Sequence, residues 1–224
     1  IAKILELEAQ AVLWKYKPKI VAVTGNVGKT STKDAIYTVL SKALFVRKSQ
    51  KSFNSDIGVP LTIIGCPNAW NNPFLWLKNI IFGLEIILIG SEFPRWLVLE
   101  VGADRPNDIK NIASWLNPDI VIVTRFSAVP VHIEFFKSRE ELIKEKEYLA
   151  KSLKKDGILI LNYDDVDVMN FKKNFAGRII TFGFNNGADI LGSNSTILYE
   201  KDRPVGMNFK INTAGNSVPI SIFG

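Results

Sequence analysis

Five short segments of this chain are rich in valine, isoleucine and leucine, and none of them alternates polar with apolar residues. They are Ile20–Thr24, Trp96–Val101, Ile120–Thr124, Ile158–Asn162 and Ile179–Phe182. Strands without alternation are typical of a parallel sheet covered on both faces, because both sets of side chains are then buried. The pattern therefore favours a parallel sheet between two covering layers.

Helical patterns separate these segments along the chain. They run over Thr30–Lys42, about Pro73–Ile89, Asn107–Leu116, Arg139–Lys154 and, more weakly, Val166–Phe175. Repeated strand, helix, strand order predicts an α/β fold with a doubly wound, mostly parallel sheet. A helix is also predicted over residues 1–16, ended by Pro18, and a small antiparallel β extension from about Ala188.

The composition excludes several classes of protein. Of the 224 residues, 47% are hydrophobic and 22% are charged, which is typical of a globular chain. The net charge of +6 is scattered and forms no basic stripe with aromatics, so we expect no nucleic-acid partner and a monomeric chain. A single cysteine, Cys66, excludes an internal disulfide framework and a cysteine zinc site. No secretory signal is visible, and a reducing cytoplasmic compartment is the default.

Polar residues follow four of the predicted strands where those strands end. A glycine-rich loop follows the first strand, Glu100 ends the second, a loop with His132 follows the third, and Asn162 ends the fourth. Ligands of open parallel sheets bind beyond the carboxyl ends of the strands. The sequence therefore predicts one ligand site at this edge.

The loop after the first strand has the GxxGKT pattern of a phosphate-binding loop. Gly25 and Gly28 permit close approach of the backbone, Lys29 would reach the outer phosphates, and Thr30 would offer its hydroxyl to Mg²⁺. The usual pattern has a further glycine where this chain has Val23, and a turn without a ligand is the alternative interpretation. The predicted nucleotide-binding residues are Thr24, Gly25, Asn26, Val27, Gly28, Lys29, Thr30 and Ser31.

Two buried charges are predicted near this loop. Glu100 closes an apolar strand, and a carboxylate there needs either Mg²⁺ or a lysine or arginine partner. Lys146 lies on the apolar stripe of a helix that starts near Arg139, four residues after Leu142. An inward lysine has a lowered pKa and would serve as a base, a Schiff-base former or a carbamate, unless its charged end reaches water.

Three further positions carry weaker signals. His132 would be a metal ligand at the ligand edge, although a lone histidine is more often structural. Asn162 would contact an adenine or would form a turn, and the compact loop around Asn54 says little by its sequence alone. The stretch Phe74–Ile89 is apolar almost all round, which fits either a core helix or a contact with a partner or a membrane surface.

Five stretches in this order resemble the central domain of the Mur ligases, in particular the MurF type. They are VTGNVGKTSTKD, FNSDIGVPLT, LVLEVGADRPNDI, the HIEFFKS…KEK stretch and LNYDD. The resemblance implies an N-terminal helix over 1–18, an ATP-binding domain over 19–187 and an antiparallel extension over 188–224. It also implies that a carboxy-terminal ligase domain is absent from this chain, so that the chain ligates poorly.

The resemblance further implies a cofactor set and a reaction. Lys29, Lys146 and His132 would be catalytic, Thr30 and Glu100 would hold one Mg²⁺, and His132 with a carbamoylated Lys146 would hold a second. Asn162 would lie near the adenine of ATP, and Asn54 would contact the UDP-muramoyl-peptide substrate. A substrate carboxylate would take the γ-phosphoryl group of ATP, and D-alanyl-D-alanine would then displace phosphate to form an amide.

Asp104 and Arg105 depart from the Asn-His pair common in the family, and the helix over 74–89 is unusually apolar. These differences leave other functions open. One is another ligase of the superfamily, such as one that adds glutamate to folate. A second is a non-catalytic module that binds nucleotide or docks on the inner face of a membrane, and a third is a generic P-loop kinase or GTPase.

Overall fold

A single nine-stranded sheet organises the computed structural model, which describes residues 1–50, 53–127, 133–213 and 215–223. In chain order the strands are β1 (Lys19–Thr24), β2 (Val46–Lys48), β3 (Trp96–Glu100), β4 (Ile120–Val123), β5 (Ile158–Asn162), β6 (Arg178–Gly183), β7 (Ile190–Glu200), β8 (Arg203–Thr213) and β9 (Asn216–Phe223). Their order across the sheet is β2-β3-β1-β4-β5-β6-β7-β8-β9. The pairs from β2 to β7 are parallel, and β8 and β9 are antiparallel.

Helices cover both faces of the parallel part. They are α1 (Ala2–Tyr16), α2 (Lys29–Leu40), α3 (Gly58–Ile64), α4 (Pro73–Leu88), α5 (Asp108–Ala113), α6 (Arg139–Lys151) and α7 (Val166–Met169). Along β1, Val21 and Val23 pack with α2, whereas Ile20 and Ala22 belong to the larger core on the other face. The predicted α/β fold with a doubly wound, mostly parallel sheet is therefore confirmed.

Two short elements escaped the sequence analysis, whereas the predicted antiparallel extension near the C-terminus is confirmed. Strand β2 has only three residues, two of which are basic, and the fully buried α3 begins at Gly58 inside a loop-like pattern. The C-terminal strands extend the main sheet, because β7 pairs in parallel with β6. Helix α6 begins at the predicted residue, where the Ser138 hydroxyl accepts a hydrogen bond from the Glu141 amide.

Helix α4 is not enclosed by the core, contrary to the interpretation of Phe74–Ile89 as a core helix. It packs on α1 and buries Asn79, Gly83 and Ile86. Its other faces are exposed, as are Trp14 of α1 and the preceding Trp70. No helix in the described part of the chain has the length and hydropathy needed to cross a membrane.

Glu8 of α1 is a buried carboxyl group beneath α4. Its side chain is 5% exposed, and a Cβ added to Gly83 of α4 would lie 2.5 Å from Glu8 Oε2. Neither carboxyl oxygen has a hydrogen-bond partner among the described residues. Burial raises the pKa of Glu8 from 4.5 to about 7, because the ionised form loses its hydration.

The raised pKa of Glu8 predicts a loss of stability as pH rises. The folded chain gains from the neutral carboxyl group below about pH 4.5, and this gain disappears as pH rises through about 7. The Glu8→Gln variant cannot ionise, so its unfolding free energy should exceed that of the wild type by roughly 2 kcal/mol more at pH 8 than at pH 5. Urea unfolding at both pH values measures this difference.

The Glu6→Gln variant is the matched control, because Glu6 lies on the same helix and pairs with the exposed Lys3. It should follow the wild type at both pH values. A Glu8→Gln advantage of the same size at pH 5 and pH 8 would contradict the prediction.

Candidate functional site

The loop between β1 and α2 has a backbone that only glycine adopts without strain. Gly25 has a φ of 138° and Gly28 has a φ of 85°. A Cβ added to Gly25 would overlap Thr124 Oγ1 and would lie 3.2 Å from the Arg125 nitrogen. At Gly28 the nearest atom to an added Cβ is 4.0 Å away. The first glycine therefore permits close packing against the end of β4, and the second permits the turn into α2.

Hydrogen bonds hold this loop against the segment after β4. The amides of Asn26 and Val27 both donate to the Arg125 carbonyl, at 2.8 and 3.2 Å, and Thr124 Oγ1 donates to the Val27 carbonyl at 2.7 Å. The first-turn amides of α2, from Lys29 to Ser31, have no partner within the helix, as at any helix start. These amides and the helix dipole form the part of the loop suited to an anion.

Unpartnered polar atoms line the same loop. Thr24 Oγ1 and Asn26 Oδ1 are buried and have no hydrogen-bond partner in the described structure. Lys29 Nζ donates only a long hydrogen bond, 3.3 Å, to the Asn26 carbonyl. Burial lowers the pKa of Lys29, because the ammonium ion is partly removed from water. A loop with partly desolvated donors and unused polar atoms is well suited to a polar, anionic ligand.

Glu100 lies at the end of β3 and is almost fully buried. Thr30 Oγ1 donates a hydrogen bond to Glu100 Oε2 at 2.9 Å, and Asn54 Nδ2 donates one to Glu100 Oε1 at 3.4 Å. Lys33 Nζ lies 3.6 Å from Oε2. The lysine partner named as one alternative for this carboxylate is thus observed, and Mg²⁺ binding at Glu100 stays a prediction.

The donors around Glu100 fit Mg²⁺. The Glu100 carboxylate and the Thr30 hydroxyl supply hard oxygen atoms, the kind of ligand that this ion prefers. No group of three or more histidine, cysteine, aspartate or glutamate side chains suited to a metal occurs among the residues that the structure describes. In proteins Mg²⁺ is usually held by one or two carboxylates together with substrate phosphates rather than by an all-protein cage.

Lys146 of α6 lines a cavity of about 170 Å³ together with the glycine loop. The lining residues are Gly25, Asn26, Lys29, Asn54, Gly102, Ala103, Asp104 and Lys146. The Lys146 side chain is 3% exposed, so its predicted inward position is confirmed. Its pKa is lowered to about 7, first by burial and second by the charge of Lys29, and Glu145 and Asp104 offset this only in part.

Three residues of this region were missed by the sequence analysis as members of the site. Glu145 accepts a hydrogen bond from the Lys110 amide at 2.9 Å, which holds α6 against α5 and fixes the position of the next residue, Lys146. Asp104 lines the cavity. Lys33 was detectable, because it lies three residues before Ile36 and seven before Leu40 on the inner stripe of α2.

The remaining predicted residues lie in different situations. His132 lies outside the described residues. Ser31 is exposed on the first turn of α2. Asn162 Oδ1 accepts a hydrogen bond from the Asp164 amide at 3.0 Å, which is the turn arrangement named as the alternative, and its contact with an adenine stays a prediction. Asn54 is held at the same edge of the sheet, because the backbone amide of Gly102 donates a hydrogen bond to the backbone carbonyl of Asn54 at 2.9 Å.

Comparisons with known proteins agree on one family. A model of the family described as Mur ligase middle domain matches residues 90–224. The chain is 30% identical over 166 residues to the UDP-N-acetylmuramoyl-tripeptide–D-alanyl-D-alanine ligase of Bacillus subtilis, which covers 74% of this chain and 31% of that relative. The chain therefore spans about a third of the length of this curated relative.

Two solved structures share the fold. MurF from Acinetobacter baumannii superposes with a TM-score of 0.76 at 19% identity, covering 98% of this chain and 41% of that one. MurF from Thermotoga maritima in complex with ADP gives a TM-score of 0.75 at 24% identity, covering 99% of this chain and 44% of that one. The sheet order and the C-terminal antiparallel strands thus belong to a known architecture.

The different surroundings of the two loop glycines predict unequal costs of substitution. In Gly25→Ala the new methyl group meets Thr124 and the Arg125 backbone, so the free energy of unfolding should fall by about 3 kcal/mol. In Gly28→Ala there is space for the methyl group, so only backbone strain of about 1 kcal/mol should remain. Urea unfolding of both variants measures the difference, and equal losses would contradict the steric account.

Proposed function

Because the chain belongs to the Mur ligase middle-domain family, we propose that it is the ATP-binding part of an amide ligase of peptidoglycan precursor synthesis. The reaction would join D-alanyl-D-alanine to a UDP-N-acetylmuramoyl-tripeptide, as the name of the Bacillus subtilis relative states for that protein. One observation supports this most strongly. The glycine loop and the buried Lys146 line the same cavity, and a generic nucleotide-binding protein has no use for that lysine.

In the proposed ATP complex, the first-turn amides of α2 and Lys29 bind the β- and γ-phosphates. Thr30 and Glu100 would hold a Mg²⁺ ion, which would neutralise part of the phosphate charge. The carboxylate of the muramoyl peptide takes the γ-phosphoryl group, and ADP leaves. The amine of D-alanyl-D-alanine then attacks the acyl carbon, an amide bond forms, and phosphate leaves. Lys29 stabilises the charge on the transferred group by position and electrostatics.

We further propose that Lys146 is carbamoylated. A lysine with a pKa of about 7 has a substantial neutral fraction at physiological pH, and the neutral amine has a free electron pair. That pair attacks CO₂, a nitrogen–carbon bond forms, and one proton leaves to water. The product is a carboxylate at the cavity that Lys29 also lines, which would lower the repulsion between the two lysines. A second Mg²⁺ would be held by this carbamate and by His132.

A second function is supported by the exposed apolar face of α4. Phe74, Leu88 and Ile89 are each about four-fifths exposed, and the exposed Trp70 lies beside the first turn of α4. Apolar surface with tryptophans at its border is typical of proteins that lie on a membrane surface. We propose that this face, Phe74–Ile89, docks the chain on a lipid bilayer.

The ligase proposal is tested by Lys146→Ala in a polypeptide that contains this chain and the other Mur ligase domains. Phosphate release should require ATP, the muramoyl tripeptide and D-alanyl-D-alanine together. Lys146→Ala should lower this rate by at least about a hundredfold, because the carbamate is lost, and added formate or acetate should restore part of it. The exposed Lys144→Ala variant on the same helix should keep full activity. Unchanged ligation by Lys146→Ala would contradict the mechanism.

The membrane proposal is tested by flotation with vesicles that contain one-third anionic lipid. The double variant Phe74→Ser and Leu88→Ser should lose binding, because both side chains are exposed and their removal lowers only apolar surface contact. Phe223→Ser is the matched control, since Phe223 is similarly exposed on β9 at the far edge of the sheet. Recovery of the wild-type chain at the bottom of the gradient, apart from the floating vesicles, would contradict docking on lipid.

A further inference from the structure

Lys33 is one of the most deeply buried side chains of the described structure. It lies on α2, one helical turn after Lys29, and its side chain is 1% exposed. A buried ammonium ion loses its hydration and requires a compensating charge. Two carboxylates are equally near, because Lys33 Nζ lies 3.6 Å from Glu100 Oε2 and 3.6 Å from Asp34 Oδ1.

The two carboxylates differ in their surroundings. The Asp34 side chain is 44% exposed and is also paired with Lys48 at 2.7 Å. The Glu100 side chain is only 3% exposed, so water does not screen its interaction with Lys33. The pair of Lys33 and Glu100 is therefore the stronger of the two, and it neutralises the charge at the end of β3.

The same oxygen of Glu100 has two neighbours. Oε2 accepts the hydrogen bond from Thr30 Oγ1 and also faces Lys33 Nζ. Under the proposed function, Thr30 and Glu100 are the residues that hold Mg²⁺. A cation that binds there must take over an oxygen that Lys33 now neutralises.

We propose that Lys33 is a resident counter-cation for Glu100, a positioning residue that takes the place of Mg²⁺ while the nucleotide site is empty. This inference rests on the proposed function of the same site. Lys33 offsets the charge of the carboxylate and holds it in place, and the ammonium ion moves toward Asp34 when a metal ion binds. Because Lys33 Nζ lies as near to Asp34 as to Glu100, the ammonium ion keeps a carboxylate partner throughout this shift.

Thermal unfolding of the 224-residue chain in the presence of EDTA tests the charge pairing. Lys33→Met removes the ammonium ion but keeps an unbranched apolar chain, so the buried carboxylate is left without its cation. The Tm of Lys33→Met should therefore be roughly 10 °C below that of the wild type. The double variant Lys33→Met and Glu100→Gln should recover most of this loss, because neither charge remains. Lys48→Met is the control, since it removes a partly exposed cation that pairs with Asp34, and it should melt within about 2 °C of the wild type.

Thermal unfolding with Mg²⁺ and ADP tests the replacement of one cation by the other. The ion supplies the charge that Lys33→Met lacks, so the rise in Tm should be larger in this variant than in the wild type, by roughly 3 °C. The double variant should show no such extra rise. ADP with EDTA serves as the comparison without metal.

Three results would overturn the inference. One is a Lys33→Met chain that melts like the wild type, and another is a double variant that melts as low as Lys33→Met. The third is an equal Mg²⁺ effect in the wild type and in Lys33→Met. A wild type that Mg²⁺ and ADP do not stabilise at all would instead contradict the proposed function, while the series in EDTA would still decide whether Lys33 neutralises Glu100.

Discussion

The carboxylate of Glu100 is the constraint around which the rest of the site is arranged. It ends a parallel strand that is buried from Leu97 onward, so it has little water to hydrate its charge. Leaving such a charge without a partner costs about 3–5 kcal/mol, a large part of the stability of an ordinary domain. Thr30 and Lys33 of α2 and Asn54 of the loop before α3 meet this need from two directions. Two separate segments are thereby fixed at one strand end.

The strand order explains why these segments meet. Strand β1 lies between β3 and β4, so the loop that follows it has Glu100 on one side and Thr124 with Arg125 on the other. The bonds from Asn26 and Val27 to the Arg125 carbonyl hold the loop against β4, and the turn at Gly28 aims α2 across the end of β3. This arrangement is the crevice that a doubly wound sheet opens beside its central strand. The chemistry of the site thus follows from the order of three parallel strands.

Apolar strands, helix stripes and the glycine loop could be predicted from the sequence, because each depends on a local pattern. The inward position of Lys146 belongs to this class, since it follows from the spacing of Leu142 and Leu149 on one helix. The partner of Glu100 could not be predicted, because the approach of Lys33 depends on how α2 crosses β3. The exposure of α4 was left open between two interpretations for a similar reason, since an apolar sequence does not state how many of its faces have neighbours. Short elements such as β2 lack a pattern long enough to detect.

Lys33 and Lys146 show how position decides the chemistry of the same side chain. Both are buried lysines on helices that face the strand ends. Lys33 lies 3.6 Å from a carboxylate that is as buried as itself, so its charge has a partner of matching burial. Burial and, second, the charge of Lys29 lower the pKa of Lys146 to about 7, and the charges of Glu145 and Asp104 offset this only in part. Mutual compensation therefore suits the first lysine to act as a counter-ion. The charge of Lys146 is compensated only in part, so a fraction of its amine is neutral and available to form a bond.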